Sequence, residues 1–299
     1  MERSSPKIWR IFLQSNGCSR WLSAVVMLHH YNGTTGAKMK ISGLTILRNG
    51  MDSGYTFIET IKTLLTICDE VIVIEGYSTD NTMEALATIK SDKVKIIRQE
   101  WNLQSNAGLE FAKITNEGMK HCSGDYIFYL QADELIHEDD CNKLRDMILS
   151  NQHNSIMFSF VHLRYDVLMR VKELPENKAR RVVRNLNTIY SSGDAFDFAG
   201  TVNPGIDSGI IVYHAGYIFP YNIVKKMINH ANYFYVQEAT YKHRASEAAK
   251  FLKRMDRGES ISITELNQTL EPYYQIIEHN LPIPALLQPH IGKFRYLIS

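Results

Sequence analysis

Short apolar runs at residues 41–47, 71–74 and 126–130 recur with amphipathic stretches between them, and this rhythm constrains the fold more than any other feature of the chain. A run with apolar residues at both odd and even positions has to be covered on both faces, which is the habit of parallel strands. Residues 41–47 read as the first strand. Residues 55–66 follow with Phe57, Ile61, Leu64 and Leu65 at helical spacing. A strand at 70–75, a helix at 80–89, a strand at 93–98, a helix at 107–121 and a strand at 125–130 complete the alternation. The pattern predicts an α/β fold with a mostly parallel sheet flanked by helices and joined by right-handed crossovers. Ligands on such sheets bind beyond the carboxyl ends of the strands, so the residues after each strand are the ones to inspect.

The rhythm loosens beyond a helix at 138–149. Residues 155–163, 180–184 and 210–214 read as strands, with a loop over 191–204. Pro220 opens a helical region at 221–241 that continues over 243–257, and 271–279 reads as one more helix. This divides the chain into an N-terminal extension (1–38), an α/β domain (39–220) and C-terminal helices packed on it (221–299). Met39-Lys40-Ile41-Ser42 resembles the start of a protein, so residues 1–38 read as an upstream extension of the frame. A helix over residues 8–28 is the alternative reading.

Composition excludes several classes. With 44% apolar and 22% charged residues the chain buries a sizeable core and is not disordered. Lys+Arg 33 against Asp+Glu 32 lacks the basic excess that nucleic-acid binding needs. Cys18, Cys68, Cys122 and Cys141 form no CxxC pair, so they read as thiols of a reducing, cytoplasmic compartment. No apolar run is long enough for a transmembrane helix. No clean cleavage site follows the apolar stretch at 21–28.

Three strand ends carry candidate chemistry. The first ends in Leu47-Arg48-Asn49-Gly50, the second in Glu75-Gly76-Tyr77-Ser78-Thr79-Asp80, the fourth in Leu130-Gln131-Ala132-Asp133-Glu134. All fall on one edge of the predicted sheet. An acid after the second strand suits a nucleoside, and acids after the fourth suit a hard divalent cation.

This ordered set resembles the family 2 glycosyltransferases of the GT-A nucleotide-sugar fold. The resemblance includes Asn116-Glu117-Gly118 on a helix and Gly124-Asp125-Tyr126 opening the next strand. It extends to an uncharacterised bacterial branch with a Gln-Ala-Asp-Glu metal strand through Cys68-Asp69-Glu70, Arg181-Val-Val-Arg184-Asn185, Asp194-Ala195-Phe196 and His214-Ala215-Gly216-Tyr217. There are departures. Gln131 stands where the first acid of Asp-x-Asp is usual, and Gly76 replaces one of two acids after the second strand.

The resemblance implies transfer of a sugar from a nucleotide-diphosphate donor to an acceptor hydroxyl, with inversion. It implies Mg²⁺ or Mn²⁺ held by Asp133, Glu134 and His214. Arg48, Asn49, Glu75, Gln131 and Arg184 are the donor-binding candidates. Asp194 is the candidate base, with Asp197 next. Each has a plainer reading: Asp133 and Glu134 as a helix cap and first-turn acid, Asp194 as an Asx turn, His214 as a satisfied buried imidazole. Arg180, Arg181 and Arg184 read equally as a charged strand edge. Tyr213, Tyr217, Tyr221, Tyr233 and Tyr235 read as sugar-stacking or core residues. A glycan or lipid-linked acceptor, and peripheral membrane contact through the C-terminal helices, stay open. So do a nucleotidyltransferase and a non-catalytic sugar- or partner-binding member of the fold.

Overall fold

The computed structural model describes residues 10–11, 22–23, 39–102, 108–150, 152–172, 177–234 and 239–292. The chain divides into two compact units, Met1–Lys38 and Met39–Ser299. In the first, β1 (Arg10–Ile11) pairs antiparallel with β2 (Leu22–Ser23), so these residues are not helical.

The second unit starts with β3 (Ile41–Leu47), the short α1 (Gly50–Ser53), α2 (Phe57–Ile67), β4 (Glu70–Glu75), α3 (Thr82–Leu86), β5 (Val94–Arg98), α4 (Leu109–Met119) and β6 (Tyr126–Tyr129). Strands β6, β3, β4 and β5 lie side by side, all parallel, in that order. Their alternation sorts the core. Ile41, Leu47, Val71 and Val73 face α2, with Phe57, Ile61 and Leu64. Leu44, Ile46, Ile72 and Ile74 face α4, with Ile114 and Met119. Gly118 lets α4 settle on the sheet, since a Cβ there would stand 2.7 Å from Leu44 and 2.9 Å from Ile74.

Next come β7 (Glu134–Ile136), α5 (Glu138–Ser150), β8 (Ser155–Arg164), β9 (Asp166–Val171), β10 (Lys178–Arg184), β11 (Ile189–Ser192), β12 (Asp197–Gly200) and β13 (Gly205–His214). Strand β10 joins the sheet antiparallel to β6 and to β8. Strand β13 runs parallel to β8 and antiparallel to β7. The sheet is therefore mixed, with its parallel half at the start of the chain. The segment read as a loop at 191–204 carries the β11–β12 hairpin.

Helix α6 (Pro220–Asn229) passes into a π-helical turn, His230–Phe234. Then follow α7 (Ala239–Asp256), α8 (Ile263–Leu270) and β14 (Ile276–Glu278). The segment at 271–279 is not a helix: Glu271 ends α8, and β14 pairs with β9. Pairing with β9 gives partners to the backbone polar groups of residues 276–278 that face it. Among the described residues no helix is long and apolar enough to cross a membrane. Cys68, Cys122 and Cys141 are buried free thiols, and Cys18 lies outside the described residues.

Candidate functional site

A cavity of about 350 Å³ opens at the carboxyl ends of β3 and β6 and is closed on one side by α6. Arg48, Asn49, Gln131, Asp133, Asp194 and His214 all line it. Tyr55, Trp101, Tyr217 and Lys226 complete its working wall.

Asp133 is 4% exposed, and its Oδ2 lies 3.1 Å from Lys226 Nζ and 3.4 Å from His214 Nε2. Burial opposes the charge on this carboxyl, but the Lys226 ammonium and His214 outweigh it and hold the pKa well below the usual carboxylate range. Lys226 sits on the buried face of α6, 4% exposed, between the rings of Tyr217 (4.1 Å) and Tyr55 (4.6 Å). Burial works against its charge as well. Tyr217, Tyr55 and Asp133 reverse that and raise its pKa. Gly216 is required here, because a Cβ would fall 1.9 Å from Asp133 Oδ2 and 2.9 Å from Lys226 Nζ. This explains the glycine of His214-Ala215-Gly216-Tyr217.

Glu134 does not face the cavity. Its carboxylate takes Arg181 Nε and Nη2, each at 2.7 Å, and the Gln131 backbone N–H at 3.0 Å. Arg181 also donates to the Phe196 carbonyl at 2.6 Å, and Gln131 Nε2 donates to the Ala195 carbonyl at 3.3 Å. Two residues of the Gln-Ala-Asp-Glu strand thus tie down the turn that carries Asp194. Asn116 on α4 adds a third anchor: its Oδ1 accepts from the Ser191 N–H at 2.7 Å and its Nδ2 donates to the Ser191 carbonyl at 3.0 Å. The turn itself uses left-handed backbone at Gly193 and Ala195. Asp194 rests against Gly108, which caps α4, where a Cβ would come within 2.8 Å of Asp194 Cβ.

The cation expected from sequence does not fit this donor set. Of its three candidate ligands, Glu134 is committed to Arg181, and Asp133 already shares one oxygen with Lys226 and His214. No group of three or more His, Cys, Asp or Glu among the described residues is arranged to hold a metal ion.

Other candidates move away from the cavity. Glu75 is fully buried and accepts the N–H groups of Tyr77 (3.1 Å) and Ser78 (2.6 Å) and the Arg98 guanidinium (2.9 Å), so it shapes the loop after β4. Burial opposes its charge, yet the Ser78 and Arg98 bonds leave its pKa lowered. Arg184 lies at the opposite edge, because β10 runs antiparallel to β6 and pairs Arg184 with Tyr126 at the start of that strand. Its guanidinium lies over the Tyr126 ring at 5.5 Å. Asp197 is held by Arg180 through backbone (2.9 Å) and side chain (2.7 Å). Asn49 stays on the cavity wall, but its Oδ1 accepts from the Thr79 N–H at 2.8 Å and ties the first loop to the second. Arg48 Nε donates to the Gly76 carbonyl at 3.0 Å, and a Cβ on Gly76 would crowd both Arg48 and Trp101.

Several quoted motifs prove structural. Asp69 Oδ2 accepts from the Ile41 N–H, Asp125 Oδ2 from the Lys40 N–H, and Asn185 Nδ2 donates to the Cys122 and Gly124 carbonyls. All brace the amino edge of the parallel strands. Of the tyrosines, Tyr217 faces the cavity, Tyr213 is in the core with its hydroxyl on the Pro282 carbonyl, and Tyr221 bonds Asp256. The side chain of Tyr233, and Tyr235 altogether, lie outside the described residues.

Lys226 was not singled out from sequence. Its one signal was a lysine within an apolar helical face, between Val224 and Met227, both buried.

A second cavity, of about 240 Å³, shares His214, Tyr217, His230 and Tyr241 with the first and adds His162, Arg164 and Glu271. Asn177 Nδ2 is committed to the Phe160 carbonyl, so its Oδ1 accepts from His162 Nε2–H at 2.8 Å. His162 Nδ1 is then the acceptor for His214 Nδ1–H at 2.9 Å. A hydrogen-bonded chain thus runs from one cavity to the other.

The family model described as glycosyl transferase family 2 matches residues 56–196. The poly-beta-1,6-N-acetyl-D-glucosamine synthase of Staphylococcus aureus (strain COL) is 31% identical over 103 residues, covering 33% of this chain and 24% of that protein. The chain therefore spans about a quarter of the length of the curated relatives it matches. Among solved structures, S. aureus TarS 1-349 aligns with a TM-score of 0.40 and 14% identity over 73% of this chain and 74% of that one. The same fragment in complex with UDP-GlcNAc gives 0.39 and 16% over 74% of each.

Proposed function

Residues 56–196 belong to glycosyl transferase family 2, and from that premise we propose that the chain transfers a sugar from a nucleotide-diphosphate donor to an acceptor hydroxyl with inversion. The name of the curated relative, a poly-beta-1,6-N-acetyl-D-glucosamine synthase, supports a nucleotide-sugar donor. The observation that carries the reading is a single cavity at the carboxyl edge of the sheet that Asp194, Lys226 and His214 all line.

In this reading residues 39–220 form the transferase domain, and 221–299 supply the helices that close it. Arg48, Asn49 and Trp101 line the nucleoside end of the cavity. Trp101 is a flat surface for a base, and its buried Nε1–H has no hydrogen-bond partner among the described residues. Glu75 and Gly76 act on the nucleoside indirectly, by fixing the loop that backs Trp101 and Arg48. Gln131 positions the turn of Asp194.

The chemistry is one displacement. Asp194 takes the proton of the acceptor hydroxyl as its oxygen attacks the anomeric carbon. The new glycosidic bond forms as the bond to the diphosphate oxygen breaks. The electron pair leaves with the nucleoside diphosphate, whose growing charge meets the basic end of the cavity.

Donor hydrolysis tests this without a known acceptor, because water can replace the hydroxyl. Wild-type protein is incubated with UDP-, GDP-, CDP- and dTDP-sugars, and released nucleoside diphosphate is followed. The expected result is slow turnover of one donor, with Asp194→Asn binding that nucleotide equally while turnover falls by about a hundredfold or more. Absence of binding and turnover with every donor overturns the reading. Loss of nucleotide affinity in Asp194→Asn moves that residue from base to binding group.

A further inference from the structure

We propose that Lys226 does here the work expected of a divalent cation: its ammonium binds the donor's diphosphate and neutralises the departing nucleotide, and the chain needs no metal for donor binding. This rests on the donor-site reading above.

The first observation is position. Asp133 closes the strand whose acids were expected to grip a cation, and the positive charge beside its carboxylate is Lys226 Nζ at 3.1 Å. The second is the environment. A buried ammonium is costly unless paired and hydrogen-bonded, and this one is held by Asp133, the Gly216 carbonyl at 3.5 Å and two tyrosine rings. An ammonium has three N–H donors, and these two oxygens leave one to aim at a ligand in the cavity that Lys226 lines. Lysine grips phosphate as a point charge, without the fixed fork that arginine imposes.

The third observation is exclusion. A Mg²⁺-sized ion on Asp133 Oδ2 would sit about 2.1 Å from that oxygen, beside an ammonium already bonded to it. The two positive charges would repel at short range in a water-poor site. The tight approach of Gly216 to the same oxygen leaves little slack for the carboxylate to swing. Glu134 cannot compensate, because releasing it would strand a buried Arg181. The departure of Gln131 from the acidic pattern fits the same picture: its amide braces the Asp194 turn instead of adding a ligand oxygen.

The test is calorimetric titration of UDP, GDP, CDP and dTDP into wild-type protein, once in EDTA and once in Mn²⁺, with free Mn²⁺ followed by electron paramagnetic resonance. The expected result is one nucleotide binding with the same affinity in both buffers and no stoichiometric uptake of Mn²⁺ by the protein. Lys226→Gln should lose about tenfold or more in affinity in both buffers, and Lys226→Arg should recover part of it. Circular dichroism melting identifies a variant that fails to fold, and the wild-type comparison stands without any variant. Nucleotide binding that requires Mn²⁺ overturns this inference and leaves the transferase reading intact. Absence of binding in both buffers overturns the two together.

Discussion

The Glu134 carboxylate receives both arms of the Arg181 guanidinium at 2.7 Å, with both side chains buried. A pair of this kind is expensive to break from one side, because the remaining charge is left in the core. Glu134→Gln and Arg181→Met should each destabilise the protein by about 3–5 kcal/mol in urea denaturation. The double variant Glu134→Gln/Arg181→Met should lose less than the sum of the single changes. Additive losses would show that the two charges do not depend on each other.

The same pair positions the turn of Asp194 through the Phe196 carbonyl. In variants that still fold, donor hydrolysis should fall further than nucleotide affinity, since a carboxylate displaced by an ångström costs about a hundredfold in rate. Equal losses in turnover and affinity would contradict a positioning role.

Gly108 offers an independent approach to the same carboxylate. Its φ of 75° disfavours any side chain, and a Cβ would press on Asp194. Gly108→Ala should cost about 1 kcal/mol or more in stability from backbone strain. It should lower donor turnover at least roughly tenfold with nucleotide affinity held. Unchanged turnover would place Asp194 away from the reacting atoms.

Gly216→Ala should act on the other half of the cavity. The added methyl would drive Asp133 and Lys226 apart, so nucleotide affinity should fall in titration. Thermal unfolding should also move down, by the few degrees that about 1–3 kcal/mol of overpacking produces.

Acid should weaken the protein before its carboxylates protonate. Burial, and then the nearby His214, lower the pKa of His162 to about 4. Burial and Lys226 lower that of His230 to about 3. Both are neutral in the native state, whereas an unfolded histidine titrates near 6.5. The stability they preserve is fully present above pH 6.5 and is lost as pH falls from there toward 4. Each should remove about 1–2 kcal/mol between pH 7.5 and 5. His162→Gln should flatten that slope in urea melts across the range, and an unchanged slope would exclude His162 as its source.

The first strands and their helices were legible because each segment declares itself locally. Alternating apolar residues on β3 and β4 commit both faces, and Phe57, Ile61 and Leu64 commit α2 to one of them. What lay beyond β6 was less legible because it depends on partners distant in sequence. Glu134 looked like a metal ligand until Arg181 arrived from β10. Asp133 looked like a metal ligand or a helix cap until α6 delivered Lys226. Arg184 looked like a phosphate ligand, but strand direction alone carries it to the far edge. Residues 276–278 carry a pattern that suits a helix as well as a strand, and the edge of β9 decides. Asp194, His214 and Gln131 were singled out from motif order, and all three line one cavity.

The β11–β12 hairpin carries a lesson for engineering. It is not a detachable cassette: Asn116 of α4, Gln131 of the loop after β6 and Arg181 of β10 grip Ser191, Ala195 and Phe196 in turn. A hairpin transplanted from another enzyme to alter acceptor choice would arrive without those anchors. It would swing freely and present its acid at the wrong angle. Redesign of this scaffold therefore has to carry Asn116, Gln131 and Arg181 along with the hairpin they hold.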